Sequence, residues 1–454
     1  MPTPHEYAHE HAERFRQELH DLLRIPSIST DPAYRSEVRR CADWLAAHLR
    51  GLGMTAETIP TNRHPLVYAE WMGAGADAKT VLTYGHYDVQ PADVDEGWHS
   101  DPFEPEERDG NIYARGAEDN KGQLWLQIKA VESLFHGDQP PACNLKFIIE
   151  GEEESGGESI AKYVAENPEK LKADVCLISD TGILAFDKPS IIYALRGMVA
   201  TELTVTGPDH DLHSGSFGGV VHNPLQVVAE IVSKLHNADG SVAVPGFYDD
   251  VVMMSDAERA ELAKTSWTEA EVATETGVPQ TWGEVGFSPR ERAGGRPTLE
   301  INGIGGGYAG IGFKTVIPSS ALVKISCRLV ANQDPDRIYD LLKAYVAQIT
   351  PPTVTVEWKK FGGGHGALVD IHAPEMQAAV RAYENVWGVK PVFLREGGSI
   401  PVVADLQRHV GMPVLLIGFG LPTDNIHGPN EHFNIELFHR GVDTILHFYE
   451  IYAG

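Results

Sequence analysis

The sequence has no long apolar run and few basic residues, and each of these absences excludes a class of protein. No stretch approaches the roughly 20 apolar residues that a membrane-spanning helix needs, so no membrane partner is expected. Only 37 lysines and arginines stand against 64 aspartates and glutamates, which gives a formal net charge of -27. Because nucleic acids and anionic membrane surfaces attract clustered basic residues, neither is an expected partner.

Cysteine is also scarce. The four cysteines, Cys41, Cys143, Cys176 and Cys327, are far apart and lack the paired spacing of a thiolate metal site, so we expect reduced thiols. The opening residues, MPTPHEYAHEHAERF, have no basic segment followed by an apolar run and are therefore not expected to be a signal peptide. These features predict a cytoplasmic protein.

The order of the segments predicts an α/β fold with an insertion. At 454 residues the chain exceeds the size at which one hydrophobic core keeps growing, so two domains are expected. Strand-like and helix-like segments alternate over residues 80–195, which is typical of a mostly parallel sheet with flanking helices. From about Leu195 the pattern becomes antiparallel. We predict an α/β domain from residues 1–194 and 372–454, interrupted by an inserted α+β domain at residues 195–371, within which residues 249–295 indicate helical pieces and a long loop.

Polar residues follow the predicted strands at their carboxyl ends. His86 and Asp88 end the strand VLTYG, Glu152–Glu154 follow FIIEG, and Asp180 follows VCLIS. Open α/β sheets bind ligands at this edge. Side chains at i and i+2 of an extended segment share a face, so the imidazole and the carboxylate of the first pair can act together, as in metal sites where a carboxylate orients a ligating histidine.

Two further candidates lie in loops. Asp119, in ARGAEDNKGQ, precedes a helix that should begin near Lys121 or Gly122, and His427 lies in a loop rich in glycine, proline and asparagine. Alone, Asp119 would as readily be a helix N-cap, and an isolated His/Asp pair is more commonly just hydrogen-bonded. Adjacent carboxylates, however, destabilise one another unless a cation compensates them. Two histidines, two aspartates and a glutamate without a thiolate suit zinc, cobalt or manganese.

Seven motifs in a fixed order carry a family resemblance: GHYDVQP, RGAEDNKG, EGEEESGG, SDTG, DLHSG, REGGSIP and HGPNEH. They resemble the dinuclear metallopeptidases related to aminoacylase and carboxypeptidase G, and within them the branch of carnosinase and the cytosolic non-specific dipeptidase. The resemblance covers most of the chain and implies a zinc-exopeptidase-like catalytic domain, an inserted lid and dimerisation domain, a homodimer, and two divalent ions per chain, with zinc preferred over manganese or cobalt.

The resemblance also implies the ligands of the two ions. Asp119 bridges both ions, His86 and Asp180 complete one site, and Glu154 and His427 complete the other. A shared water or hydroxide takes the remaining position, as in catalytic zinc sites.

Three further residues receive catalytic roles, Glu153 and His213 by the same resemblance and Asp88 from its pairing with His86 at the end of the strand. Glu153, aligned from Ser155–Gly156, is the general base, and Asp88 supports His86. Because Glu152 stands where the relatives need no carboxylate, the choice among the three glutamates stays open. His213 would usually be a solvated loop histidine, but the resemblance implies that it reaches the active site of the partner chain and stabilises the oxyanion.

Arg328 lies in the apolar strand ISCRLV, where burial without an anionic partner would be costly. A structural ion pair would explain it equally well. The resemblance makes it a clamp for a substrate carboxylate, with Thr315, His365 and Ser399 as polar companions. Such a clamp favours dipeptides with a free C-terminus.

The expected function is therefore a metal-dependent dipeptidase. Three alternatives stay open: a deacylase of N-acyl amino acids with the same chemistry, a non-catalytic binding protein on the same fold, and a sensor with a structural metal. The presence of every inferred ligand disfavours the binding protein, and the additional base Glu153 disfavours the sensor.

Overall fold

The protein is described by a computed structural model that covers residues 1–265, 267–398 and 400–454. The α-helices are α1 (Pro4–Glu10), α2 (Ala12–Leu23), α3 (Arg35–Gly51), α4 (Lys121–His136), α5 (Glu158–Glu166), α6 (Pro168–Leu171), α7 (Ser214–Phe217), α8 (Pro224–Ser233), α9 (Asp256–Leu262), α10 (Glu269–Thr276), α11 (Pro335–Ile349), α12 (Pro374–Trp387), α13 (Pro401–Asp405) and α14 (Ile435–Ala453). Short 3-10 helices span Pro32–Tyr34, Val94–Glu96 and Glu153–Ser155, and π-helical turns span Glu291–Gly295 and Leu406–Val410.

The strands follow the same chain order. They are β1 (Thr55–Ile59), β2 (Leu66–Trp71), β3 (Thr80–His86), β4 (Glu106–Arg108), β5 (Asn111–Tyr113), β6 (Asn144–Glu150), β7 (Val175–Ile178), β8 (Ser190–Leu195), β9 (Gly197–Thr206), β10 (Leu212–His213), β11 (Thr298–Gly306), β12 (Val316–Ile317), β13 (Ser320–Leu329), β14 (Thr355–Gly364), β15 (Ala367–Leu368), β16 (Val392–Glu396), β17 (Val414–Leu416) and β18 (His432–Asn434).

The chain forms two compact units. The first comprises residues 1–193, 369–393 and 405–454, and the second comprises residues 194–368 and 394–404. The second unit therefore includes a short piece of the late segment that the sequence analysis assigned to the α/β domain. The domain boundaries drawn from the sequence stay a prediction.

The first unit is built on a large sheet in the order β1-β2-β6-β3-β7-β17-β8. The central strands β6, β3, β7 and β17 are parallel, while β1, β2 and β8 add antiparallel strands at the edges. Every residue of β6 is buried, as expected for a parallel strand covered on both faces. The predicted α/β class with a largely parallel central sheet is confirmed.

The second unit is an antiparallel sheet with helices on one face. Its order is β11-β13-β9-β14. Burial alternates residue by residue along β9 and β13, which is the pattern of a sheet with one covered face. The covered face forms a core with α8 and α11 that includes Val199, Leu203, Val228, Ile231, Val323, Ile338 and Leu342. Residues 249–295 contain α9, α10 and a π-helical turn joined by loops.

Two further observations concern the cysteines and the apolar character of the helices. All four cysteines are free and buried. No helix among the described residues has both the length and the apolar character needed to cross a membrane.

Candidate metal centre

The four parallel strands of the first unit direct polar residues to one edge of the sheet. His86 is the last residue of β3, Glu152–Glu154 follow β6, Asp180 follows β7, and the loop after β17 carries His427. Because neighbouring parallel strands end at the same edge, residues far apart in sequence become neighbours there. The donor atoms of His86, Asp119 and Asp180 lie within 4.8 Å of one another.

Asp119 belongs to two groups of donors at once. Its Oδ1 lies 3.0 Å from His86 Nε2, and its Oδ2 lies 3.0 Å from His427 Nε2. Glu154 completes the second group, with its Oε2 3.3 Å from His427 Nε2. One carboxylate thus presents an oxygen to each of two His/carboxylate sets, which is the arrangement that a ligand shared by two ions requires.

His86 is fully buried and its ring is held by Asp88. The Nδ1 atom donates to the backbone oxygen of Asp88 at 3.0 Å and lies 3.4 Å from its Oδ1. With Nδ1 occupied as a donor, Nε2 is the nitrogen available as a ligand. The structure therefore places the expected orienting residue beside His86, with the backbone carbonyl closer to the ring than the carboxylate.

His427 lies on a backbone of unusual conformation. Its φ is 62°, and Asn425 and Asn430 of the same loop also have positive φ values of 56° and 60°. A non-glycine residue in this region costs free energy and persists only where the surroundings enforce it, commonly at functional sites.

The two side chains of the second donor group differ in exposure. The side chain of His427 is 55% exposed, whereas that of Glu154 is 3% exposed, and Gln90 Nε2 donates to Glu154 Oε2 at 2.7 Å.

The three adjacent glutamates occupy different environments. Glu152 is fully buried, and its carboxylate accepts hydrogen bonds from His64 N at 2.8 Å and from Ser159 Oγ at 2.6 Å. Glu154 faces His427. The carboxylate of Glu152 is thus occupied by structural hydrogen bonds, and that of Glu154 belongs to the second donor group. Glu153 is the one of the three glutamates that has neither kind of contact among the described residues.

Burial and neighbouring charges perturb the ionisation of this centre. Burial is the largest effect on the pKa of Glu153; together with the carboxylates of Asp180 and Glu154 it outweighs the lowering by His86 and raises the pKa to about 8. Burial alone would lower the pKa of His86, but hydrogen bonds with Asp119 and Asp180 raise it well above its usual value. The clustered carboxylates therefore favour a positive charge at this centre.

The residues present fit two divalent cations. Each group, His86/Asp119/Asp180 and Asp119/Glu154/His427, offers three nitrogen or oxygen donors and no thiolate. Such sets suit zinc, manganese or cobalt, and three protein ligands leave a coordination position open.

Two supporting residues were missed by the sequence analysis. Glu431 is fully buried, and its carboxylate accepts the backbone N–H groups of Gly116, Glu118 and Asp119 at 3.0, 3.0 and 3.1 Å. Arg115 donates to the same carboxylate at 2.7 Å. The HGPNEH motif contains Glu431. Nothing in the local spacing of this motif shows that the Glu431 side chain binds a loop more than 300 residues earlier in the chain.

Asn120 is the second missed residue. Its Oδ1 accepts the backbone N–H of His86 at 3.2 Å, and its Nδ2 donates to Asp180 Oδ1 at 2.9 Å. It thereby ties together the ends of two strands that carry ligands. Its position directly after Asp119 is the only signal the sequence offers.

The other candidate residues lie in the second unit and fall into two groups. His213 pairs with Val316 in the short β10–β12 ladder, and Ser214 N donates to Thr315 O at 3.0 Å. Both His213 and Thr315 are exposed. They lie close to the start of β13, at Ser320.

Arg328 and His365 lie at the opposite end of this sheet. Met198 of β9 is in register with Arg328 on one side and with Gly364, the neighbour of His365, on the other. The strand segment from Ser320 to Arg328 spans about 26 Å in extended conformation. Thr315 was expected beside Arg328, but it lies beside His213 instead. Ser399 lies outside the described residues.

Arg328 has a cationic neighbour that the sequence analysis did not select. Burial and the nearby Arg328 guanidinium lower the pKa of Arg196 to about 10. Both arginines line a cavity of about 480 Å³ in the second unit, together with Trp267, Trp282 and Glu300. Two adjacent guanidinium groups favour an anion between them, so Arg196, which directly follows β8, is a further candidate.

The comparisons with known proteins agree on one family. The family described as "Peptidase family M20/M25/M40" matches residues 82–450. The Cys-Gly metallodipeptidase of Schizosaccharomyces pombe is 32% identical over 95% of this chain and 94% of its own length. The human Beta-Ala-His dipeptidase is 31% identical over 94% of this chain and 88% of its own length.

Solved structures give the same result. Human carnosine dipeptidase 1 matches with a TM-score of 0.79 and 30% identity, covering 99% of this chain and 98% of its own. The M20 family metallo-carboxypeptidase Sso-CP2 from Sulfolobus solfataricus matches with a TM-score of 0.84 and 30% identity, covering 97% of this chain and 99% of its own. This chain therefore belongs to the peptidase family M20/M25/M40.

Proposed function

We propose that this protein is a homodimeric, dinuclear metal-dependent dipeptidase that cleaves dipeptides with a free C-terminal carboxylate. The observation that carries the proposal is the position of Asp119, whose two oxygens each lie 3.0 Å from a different histidine, beside a glutamate that belongs to neither group. The relatives named above as dipeptidases support the substrate class.

The residues of the centre would bind two divalent ions. His86 and Asp180 would hold one ion, Glu154 and His427 the other, and Asp119 both. Bound divalent ions would polarise the scissile carbonyl and lower the pKa of the attacking water. We propose zinc as the native metal, with manganese or cobalt as alternatives that imidazole and carboxylate ligands serve as well.

Glu153 acts as the general base in this proposal. Its carboxylate belongs to neither donor group, so it can accept a proton without giving up a ligand. It takes the proton of the attacking water and passes it to the leaving amine nitrogen. The Asp88 carboxylate accepts the backbone N–H groups of Glu153 and Glu154 at 3.2 and 3.1 Å, so one residue positions both the base and a metal ligand.

Arg328 sets the length of the substrate on the leaving side. Together with Arg196 it binds the C-terminal carboxylate, which in a dipeptide lies one residue beyond the scissile carbonyl. His365 and Ser399 are proposed to assist. A fixed anion site at this distance selects substrates with one residue after the cleaved bond. An N-acyl amino acid also carries this carboxylate, so a deacylase is the second candidate.

A second copy of the chain supplies His213 and Thr315 to the active site. The pair precedes the start of β13 at Ser320, and β13 extends about 26 Å from Ser320 to Arg328, which is too far for one small substrate to reach both ends within one chain. Exposed apolar residues adjoin the pair in sequence. They are Phe217, Val220, Tyr308, Ile311 and Phe313. Exposed apolar patches commonly mark protein interfaces. His213 would then donate a hydrogen bond to the oxyanion.

The cytoplasmic location is proposed from the sequence. It rests on the four cysteines without a disulfide, since disulfides are rare in cytosolic proteins.

A substrate panel tests the proposed function. The free dipeptide, its C-terminal amide and the matched N-acyl amino acid are compared by kcat/KM in wild type, in Arg328→Ala, and in Arg337→Ala as a control, since Arg337 pairs with Asp249 and Asp250 at the surface. Losing a charge-assisted bidentate contact costs about 2–5 kcal/mol, which is about 30-fold to several thousandfold in rate. We expect the wild type and the control to favour the free acid by this factor, and Arg328→Ala to lose most of the preference.

Two outcomes would overturn parts of this proposal. Equal kcat/KM for acid and amide in the wild type would make Arg328 a structural ion pair. Faster turnover of the N-acyl amino acid than of the dipeptide would replace the dipeptidase by a deacylase.

A further inference from the structure

A second group of histidines and carboxylates joins the first and last helices of the first unit. His5 and His9 lie one turn apart on α1, and Asp443, His447 and Glu450 lie on α14 at spacings of four and three residues. Residues three and four apart share a helix face, so each helix presents its group to the other. None of these residues belongs to the dinuclear centre.

His5 is oriented as a ligating histidine would be. Its Nδ1 lies 2.9 Å from Asp443 Oδ1, and the other oxygen of Asp443 lies 2.9 Å from His9 Nε2. A carboxylate on one ring nitrogen is the usual companion of a histidine that ligates a metal through the other. Asp443 therefore fixes the ring of His5 with Nε2 pointing away from Asp443.

The second nitrogen of His5 is buried and makes no well-aligned hydrogen bond within the described part of the chain. It lies 3.4 Å from Glu450 Oε1. The His447 ring is close to both, with its centroid 4.3 Å from that of His5 and its Nδ1 3.1 Å from Glu450 Oε2. Donor atoms of these three residues lie within 4.8 Å of one another.

We propose that His5, His447 and Glu450 bind one divalent transition-metal ion, with zinc as the best fit, at a site separate from the dinuclear centre. Two imidazoles and a carboxylate are a known donor set for zinc. Asp443 supports His5 without ligating. The proposal does not rest on the proposed peptidase activity.

Another group of three donors shows why this one is selected. Glu18, His48 and Glu132 also lie within 4.8 Å of one another, but Lys129 Nζ lies 2.6 Å from Glu132 Oε2 and 3.1 Å from His48 Nε2. An ammonium group already supplies the positive charge there. The described hydrogen bonds and ion pairs of His5, Asp443, His447 and Glu450 include no lysine or arginine.

The ion would fasten the first helix to the last. α1 has only 7 residues, and an isolated helix of that length is marginal in water. A ligand from α1 and two from α14 make metal binding conditional on α1 being docked. Metal should therefore stabilise the docked helix by mass action.

Metal counting tests the site. Protein without a polyhistidine tag is dialysed against micromolar zinc, and bound zinc is measured for wild type, His5→Ala, His447→Ala and His447→Gln. His11→Ala is the matched control, because His11 Nδ1 bonds the Tyr7 backbone oxygen outside the cluster. We expect each cluster variant to bind one zinc fewer than wild type and than the control, with unchanged dipeptide turnover.

Hydrogen exchange of residues 4–10 gives a second readout. With zinc about 100-fold above its dissociation constant, opening of α1 should be suppressed about 100-fold in wild type and not in His447→Gln. Equal zinc content and equal exchange in wild type and His447→Gln would overturn the proposal. A loss of zinc in His11→Ala as large as in the cluster variants would reduce it to non-specific binding by a histidine-rich segment.

Discussion

The Asp88 carboxylate accepts the backbone N–H of Glu153 at 3.2 Å. Asp88 is fully buried and also holds the ring of His86. The end of β3 and the turn after β6 are therefore fixed to each other by one side chain. The same carboxylate also accepts the backbone N–H of Glu154 at 3.1 Å, so it fixes the backbone of both glutamates beside His86.

Glu153→Ala and Glu154→Ala should have different effects. Because a general base transfers protons and does not coordinate, Glu153→Ala should lower kcat about 100-fold to 10,000-fold while retaining both ions. Glu154→Ala should instead lose metal from the group that contains His427. Elemental analysis and steady-state kinetics on both variants check this.

Glu152→Ala is the matched control for this pair. It should reduce stability, because Ser159 and His64 lose a buried acceptor, and keep its metal affinity. The reverse pattern in Glu153→Ala and Glu154→Ala would mean that the roles are assigned one residue out of register.

Glu431→Gln should lower both the stability of the protein and the metal affinity of the centre, although Glu431 belongs to neither donor group. The amide replaces an oxygen that accepts backbone N–H groups near Asp119 and leaves Arg115 buried without its anion. Breaking a buried pair costs about 3–5 kcal/mol. Urea unfolding should show this loss, and metal affinity should fall as well.

Glu436→Gln is the control for Glu431→Gln. Glu436 is 58% exposed and pairs with Arg440 at i,i+4, so a change within about 0.5 kcal/mol is expected. If Glu431→Gln behaves like Glu436→Gln in both measurements, the buried carboxylate does not hold the loop.

Local patterns predicted that polar residues meet at one sheet edge, whereas the assignment of ligands to two groups came from the family resemblance. Apolar strands that end in HYD, GEEES and SDTG place polar residues at one sheet edge once the strands are parallel, and the motif order led to the family, which is confirmed. The roles assigned to individual residues stay predictions. The α/β class was predictable from alternating segments in the same way.

Other parts depend on contacts between distant residues and leave no local trace. Glu431 grips the loop of Asp119 across more than 300 residues, and no periodicity reports such a contact. The sequence placed Thr315 with Arg328 because both are polar residues in matched motifs. The register of β9 and β13 places Arg328 near one end of the sheet, whereas Thr315 precedes Ser320, at which β13 begins at the other end.

Mixing two inactive variants should restore activity if chains share active sites. One chain carries Glu153→Ala and the other His213→Ala. In a two-fold heterodimer, one of the two sites receives both intact residues. After full subunit exchange about half of the dimers are heterodimers, so about one quarter of wild-type activity is expected.

The control mixture pairs Glu153→Ala with the double variant Glu153→Ala/His213→Ala, which should regain no activity. If exchange is proven by mass labelling and the first mixture stays inactive, His213 acts within its own chain or not at all.

The double variant Ile311→Asp/Phe313→Asp should give monomers by analytical ultracentrifugation if these exposed residues form the interface.

The stability of the first unit should fall in mild acid because of His48. Burial and the Lys129 ammonium lower the pKa of His48 from 6.5 to about 4. Between these two values the unfolded chain binds a proton that the folded chain does not, so this contribution is present above pH 6.5 and is lost as the pH falls towards 4. The loss amounts to about 3 kcal/mol in total.

Urea unfolding at pH 7 and pH 5 measures this effect. Wild type should lose about 2 kcal/mol more between these pH values than His48→Gln, which cannot titrate. His409→Gln, at an exposed position, should keep the wild-type pH dependence. Equal losses in wild type and His48→Gln would show that His48 is protonated without cost in the folded protein.

One measurement decides whether the two donor groups form a catalytic centre: the apoprotein is titrated with metal and dipeptide turnover is the readout. The residues concerned are His86, Asp119, Asp180, Glu154 and His427. Untagged protein is stripped by exhaustive chelation and its metal content is measured. Turnover should be absent and should return on adding zinc, reaching its maximum when these residues hold two ions per chain. Full activity in chelated protein without bound metal would contradict the dinuclear mechanism.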